Sequence, residues 1–140
     1  MPRKLTAIAA LGALGLAAVW NLAAQDGGRT VRDGVYSQVQ AARGERLFDT
    51  ICMNCHEIAE FTAAGAYLED VEGQPLWTTF DYVSADMPED DPGSLRPEDY
   101  ADVLAYLFSA YGLPSGATDL PVDQRSLETI RIVSPSLPGS

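Results

Sequence analysis

Residues 35–56 read VYSQVQAARGERLFDTICMNCH. Val39, Ala42, Arg43, Leu47, Phe48, Ile51 and Cys55 follow one another in the three- and four-residue steps of a single helical stripe. The stretch is therefore expected to be an amphipathic helix that carries both cysteines of the chain. It sits in 140 residues, 46% hydrophobic and 21% charged, which is one domain with enough apolar mass for a packed core. Nine basic against 20 acidic residues give a formal charge of −11, and a surface of that sign repels nucleic acid. Two cysteines and one histidine are too few for a self-contained four-ligand zinc site.

Moving outward, the next clear helix is 97–111. Proline at its first position has a helical φ already. Glu98 and Asp99 lie where the helix dipole favours negative charge. Tyr100, Val103, Leu104, Leu107, Phe108 and Tyr111 make its apolar face, and Gly112 and Pro114 end it. Between the two helices, residues 57–76 are expected to be loop with short helical turns. Residues 77–84 are expected to be a short helix, because Leu76, Phe80 and Val83 step by four and three. Residues 86–93 (DMPEDDPG) are a loop fixed by two prolines. Beyond the second helix, residues 114–140 read as an extension that packs on the domain through Leu127, Ile130, Ile132 and Val133. Residues 25–34 read as a flexible leader, and 35–113 as the domain proper.

Residues 1–24 begin with Arg3 and Lys4, continue uncharged through 5–19, and reach small residues at Ala23 and Ala24. This is the pattern of a secretory signal peptide cut after Ala24. Residues 5–24 also reach the ~20 apolar residues that span a bilayer, so an uncleaved anchor is the second reading. Either one exports the domain, into the periplasm or onto a membrane facing it. Cleavage removes Arg3 and Lys4 and no acid, which leaves seven arginines, no lysine and 20 acids.

The chemistry lies in Cys52-Met53-Asn54-Cys55-His56. C-x-x-C-H is the attachment signal for c-type haem. Two cysteines three apart share a helix face, so their sulfurs can reach both vinyl positions along one porphyrin edge. His56 follows at once and can turn under the ring to ligate the iron. A Cys52–Cys55 disulfide is an alternative in an exported chain. A thioredoxin-like pair is another, but it belongs to a β-α-β pattern that this sequence lacks. One covalently bound haem c per chain is the expectation. There is no second histidine, and Met53 is too close to the cysteines to reach the other face of the ring. That leaves Met87 in its polar loop as the sixth ligand. If Met87 stays off the iron, a five-coordinate centre open to gas or peroxide results.

Several motifs now resemble those of class I c-type cytochromes. Gly44 and Phe48 stand eight and four residues before Cys52. Residues 102–107 (DVLAYL) resemble the family's carboxy-terminal helix, whose aliphatic and aromatic residues, here Val103 and Tyr106, cross the first helix at the glycine. The stretch from Met87 through Pro92-Gly93-Ser94-Leu95, together with Phe80 to Val83 and residues 112–121, is similar to monohaem cytochrome c subunits and domains that serve periplasmic dehydrogenases. The likeness runs over about residues 36–133 and implies an all-α class I cytochrome c fold, a small helical bundle around one covalently bound haem c. It departs from the family at residues 57–64, which lack the proline that often follows the histidine and whose carbonyl takes the ligand's other N–H. A carbonyl in 61–74 is the substitute expected here.

The resulting expectation is an exported monohaem carrier of single electrons, not an enzyme, working between a periplasmic dehydrogenase and a downstream acceptor. A haem sensor or peroxidase-like protein with a labile Met87 is the rival. Phe48, Trp77, Phe80, Tyr82, Leu104 and Leu107 are expected to bury the ring. Trp77 and Arg96 are candidates for haem contacts at the propionates. Asp86, Glu89, Asp90 and Asp91 beside Met87 point to redox partners with a basic docking surface.

Overall fold

A computed structural model of the chain describes residues 28–63 and 67–134. The signal-peptide reading of 1–24 lies outside the described residues.

Helix α1, Gln38–Thr50, starts at Ser37, whose hydroxyl accepts the Gln40 N–H at 3.0 Å. It buries Gln40, Ala41, Gly44 and Phe48 along one face. The helix stops before the cysteines, contrary to the expectation above. Thr50 and Ile51 are both β-branched, which crowds a continuing helix. The Asn54 side-chain amide donates to the Ile51 carbonyl at 3.1 Å and so competes with the next turn. Cys52–Asn54 form a 3-10 turn instead. The consequence drawn from helical spacing survives, because residues three apart eclipse one another in a 3-10 turn.

Two single-turn helices follow, α2 (Ala59–Thr62) and α3 (Tyr67–Asp70). Helix α4, Leu76–Asp86, begins after Pro75 and buries Leu76, Thr79 and Phe80. Helix α5, Pro97–Ala110, is the axis of the molecule, with Tyr100 to Ala105 and Phe108 all buried. It packs against α1, α2 and α4. Gly112 follows it with a φ of 85°, a left-handed turn that glycine adopts without strain.

The α1–α5 contact is the largest between helices. It closes on Gly44, where a Cβ would lie 1.8 Å from the Asp102 carbonyl oxygen and 3.0 Å from the Tyr106 Cβ. The helices touch backbone to backbone at Asp102, one residue before the expected Val103. Val103 turns towards the cavity described below. Beside the crossing, Arg43 forks onto buried Asp102 at 2.7 and 2.8 Å and reaches Asp119 at 2.8 Å. Gln40, also buried, accepts the Leu120 N–H at 2.6 Å and donates to its carbonyl at 3.3 Å.

The segment after α5 closes the core. Leu120, Leu127, Ile130 and Ile132 are buried with the helices, Leu127 on the short α6 (Gln124–Glu128) that packs on α4. Residues 130–132 thread between two neighbours. On one side Val31 N–H meets the Arg131 carbonyl at 3.0 Å and Arg131 N–H meets the Arg29 carbonyl at 2.7 Å. On the other, Gly73 N–H bonds Ile132, Leu76 N–H bonds Ile130, and Ile132 N–H returns to Gln74. Residues 28–34, expected to be flexible, are thus held in place, with Val31 wholly buried. Their glycines and charges hide the backbone pairing with a segment far along the chain. These pairings are isolated bridges. No strand occurs among the described residues, and the architecture is all-α.

Candidate functional site

A cavity of about 500 Å³ opens between the turn after α1, helix α4, the loop after it and helix α5. That volume lies within the range of small-molecule and cofactor sites. Cys52, Cys55 and His56 line it from the turn, and Met87 lines it from the loop. Four residues chosen from sequence alone, spread over 52–87, therefore meet in one space. Phe48, Ile51, Leu95, Val103, Leu104 and Leu107 make much of the remaining wall apolar.

Cys52 and Cys55 are free thiols rather than a disulfide. Burial pushes the Cys52 thiol above its ordinary value. The backbone fixes the turn tightly, since Cys55 and His56 both donate their N–H to the Cys52 carbonyl, at 3.1 and 2.9 Å. Among the described residues, the partner of His56 is a carboxylate rather than the expected carbonyl in 61–74. The His56 Nδ1 lies 3.0 Å from Glu60 Oε2. Glu60 Oε1 accepts the Glu57 N–H at 3.1 Å. The His56 contact first, and the Glu57 N–H second, hold the Glu60 carboxyl below the usual carboxylate value. The Phe61 ring meets the imidazole edge-on at 5.4 Å.

Met87 ends α4, its N–H reaching the Val83 carbonyl at 3.1 Å. Its own carbonyl accepts the Tyr100 hydroxyl at 2.7 Å. Tyr100 is buried in α5 and also accepts the Leu95 N–H at 3.3 Å. One phenol thus ties both ends of the methionine loop to the central helix.

Thr79 on α4 is 2% exposed and lines the cavity. Among the described residues its hydroxyl has no hydrogen-bond partner. Buried polar groups seldom go unpaired, so a polar group on an occupant of the cavity is the natural partner.

Trp77 and Arg96 are not brought to the cavity. Trp77 stacks on Phe80 at 5.7 Å and packs on the core instead, and Phe80 also stays out of the lining. The Arg96 guanidinium is three-quarters exposed and forks onto Asp99 at 2.6 and 2.9 Å, beside a surface groove shared with Arg43 and Arg46. Tyr82, Phe48, Leu104 and Leu107 do line the space. Sequence reasoning missed Phe61, Tyr67, Thr79 and Tyr100. Thr79 had a signal, four residues before Val83 on the same helix face. Phe61 and Tyr67 stand on single-turn helices where no periodicity can show. Glu89 and Asp90 reach the cavity wall, and Asp86 and Asp91 are exposed next to them.

Comparison with protein-family models, with curated proteins and with solved structures finds no match for this chain. Among the described residues no helix is long and apolar enough to cross a membrane.

Proposed function

We propose that the chain is an exported monohaem c-type cytochrome with a class I fold that passes single electrons from a periplasmic dehydrogenase to a downstream acceptor. The observation that carries the reading is the meeting of Cys52, Cys55, His56 and Met87 on one largely apolar cavity. A zinc site or a dithiol redox pair gives no reason for Met87 to be there. The residues fit the group: Cys52 and Cys55 would hold it through thioethers, His56 and Met87 would ligate its iron, and the Thr79 hydroxyl, without a partner among the described residues, would meet a polar substituent. When bound, haem c supplies a one-electron couple at its iron. The chain supplies the rest. Its largely apolar wall would limit water, His56 and Met87 would occupy the iron and leave none of it for a substrate, and the Tyr100 hydroxyl on the Met87 carbonyl would keep that residue in place. Glu89 and Asp90 put negative charge at the cavity, which steers towards a basic partner and speeds encounter.

Export in a host that attaches haem to C-x-x-C-H tests the reading. Denaturing-gel haem staining should mark the band, because only thioether-bound haem survives denaturation. The oxidised protein should show a methionine–iron charge-transfer band. Colourless protein after proper export overturns the proposal. A stained protein that lacks that band and binds carbon monoxide rapidly when reduced favours a sensor or peroxidase-like role instead. Met87→Ala should keep the covalent haem and lower the potential by on the order of 100 mV, a fraction of the ~0.8 V that axial ligands span. Cys52→Ser or His56→Ala should largely abolish maturation.

A further inference from the structure

The partner of His56 is a charged group, which residue spacing gave no reason to expect. An imidazole that ligates through one nitrogen presents the other to its surroundings, and whatever accepts that N–H fixes the tautomer and the ring plane. Here the acceptor is Glu60 Oε2, 3.0 Å from Nδ1. An ionised carboxylate only accepts, so the proton of this bond belongs to Nδ1, and Nε2 is the nitrogen left to serve as a ligand. Glu60 is itself held, since its second oxygen takes the Glu57 N–H at 3.1 Å. Phe61 limits the ring from another side at 5.4 Å. The imidazole is therefore constrained in tautomer, tilt and rotation by the six residues 56–61.

We propose that Glu60 is a positioning residue for the axial ligand: it holds His56 as the Nδ1–H tautomer with Nε2 free for the iron, and it lowers the reduction potential that the His56–Met87 pair would otherwise set. The proposal rests on the haem reading above. A hydrogen bond to an anion is stronger than one to a neutral carbonyl. It draws the N–H proton outward and makes the imidazole a more basic ligand. A more basic ligand favours the more positively charged ferric state. Glu60 is half-exposed, 52% for its side chain, so solvent screens part of its charge. Its influence is smaller than that of an axial ligand. It is also opposite in sign to the loss of Met87, because removing Glu60 raises the potential and removing Met87 lowers it.

The test uses the full chain, exported and matured, as wild type, Glu60→Gln, Glu60→Ala and Glu57→Gln. Three quantities are read: covalent haem per polypeptide, midpoint potential, and the NMR signal of the His56 Nδ1–H in the reduced protein. Haem content should be equal in all four. Glu60→Gln, which is isosteric and keeps an acceptor, should raise the potential. Glu60→Ala should raise it at least as much and expose the Nδ1–H to fast solvent exchange. Glu57→Gln removes the same charge three residues away without touching the hydrogen bond, and should leave the potential near wild type. Equal potentials in wild type and both Glu60 variants overturn the proposal, as does a Glu57→Gln shift as large as that of Glu60→Gln. In both cases the haem reading stands. A wild-type protein without covalent haem overturns the two together.

Discussion

Tyr100 carries more of the site than its place at the start of a helix suggests. Its ring is buried in α5, and its hydroxyl is the link between the Met87 carbonyl and the Leu95 N–H. Tyr100→Phe keeps the ring and removes both bonds, leaving the Leu95 N–H without its partner and the Met87 carbonyl with only the long bond from the Gly93 N–H at 3.4 Å. A loss of about 1–2 kcal/mol is expected, read as a lower thermal midpoint. On the haem proposal, the loop should also release Met87 more often, seen as faster carbon monoxide binding by the reduced protein. At this scale the sequence was informative where chemistry is rare: one histidine, two cysteines and one well-placed methionine leave few arrangements. It was silent on Glu60 as a partner, because one carboxylate among 20 acids carries no mark. It did not tell wall from core at Trp77 for a related reason. An aromatic side chain on a short amphipathic helix suits a cavity wall and a core equally well, and only the packing of α4 on α5 and α6 decides between them.

Among the elements, the α1–α5 crossing sets the architecture. Helix axes that approach this closely leave no volume for a side chain at the contact, and Gly44 is where that volume is missing. Gly44→Ala gains helix propensity of about 1 kcal/mol but must place a Cβ 1.8 Å from a backbone oxygen. Backbone cannot move aside as a flexible side chain can, so the helices must part. A net loss of roughly 3 kcal/mol is expected, which for a domain of this size lowers the thermal midpoint by roughly 10–20 °C. A midpoint unchanged in Gly44→Ala would show that the crossing can relax at no cost. Helix α5 and the crossing glycine were legible because both follow from local rules: proline first, acids next, then an unbroken apolar period. The end of α1 was not, since β-branching at Thr50 and Ile51 and one asparagine side chain decide it against a stripe that continues through Cys55.

For the molecule as a whole, acid should loosen what its arginines hold. The Ser37 hydroxyl first, and then Arg43, keep Asp119 below its ordinary 3.8. Arg96 does the same for Asp99, and the N-cap bond from Ser126 for Asp123. An unfolded chain takes up these protons before the folded one does, so the stability these groups contribute is full above that value and fades as pH falls through the depressed folded values. Asp119→Asn should therefore lower the midpoint slightly at pH 6, by a modest amount because the carboxylate is half-exposed. The gap to wild type should close below about pH 4. Thermal unfolding of both proteins from pH 6 to 3 measures it, and a gap that widens in acid would contradict the ion-pair assignment. The tail's apolar patch was visible in sequence. Its seat between residues 29–31 and 73–76 was not, because backbone bridges of one or two residues leave no periodic trace.

That seat governs the order in which the chain can assemble. Val31 waits for Arg131, about a hundred residues later, so the core cannot be sealed until nearly all of the polypeptide has been delivered. Contacts of such long range make a chain slow to fold. Helices α1 and α5 can meet at Gly44 earlier, so the last step is the docking of Ile130 and Ile132, which shuts the wall of the core away from the cavity of Cys52 and Cys55.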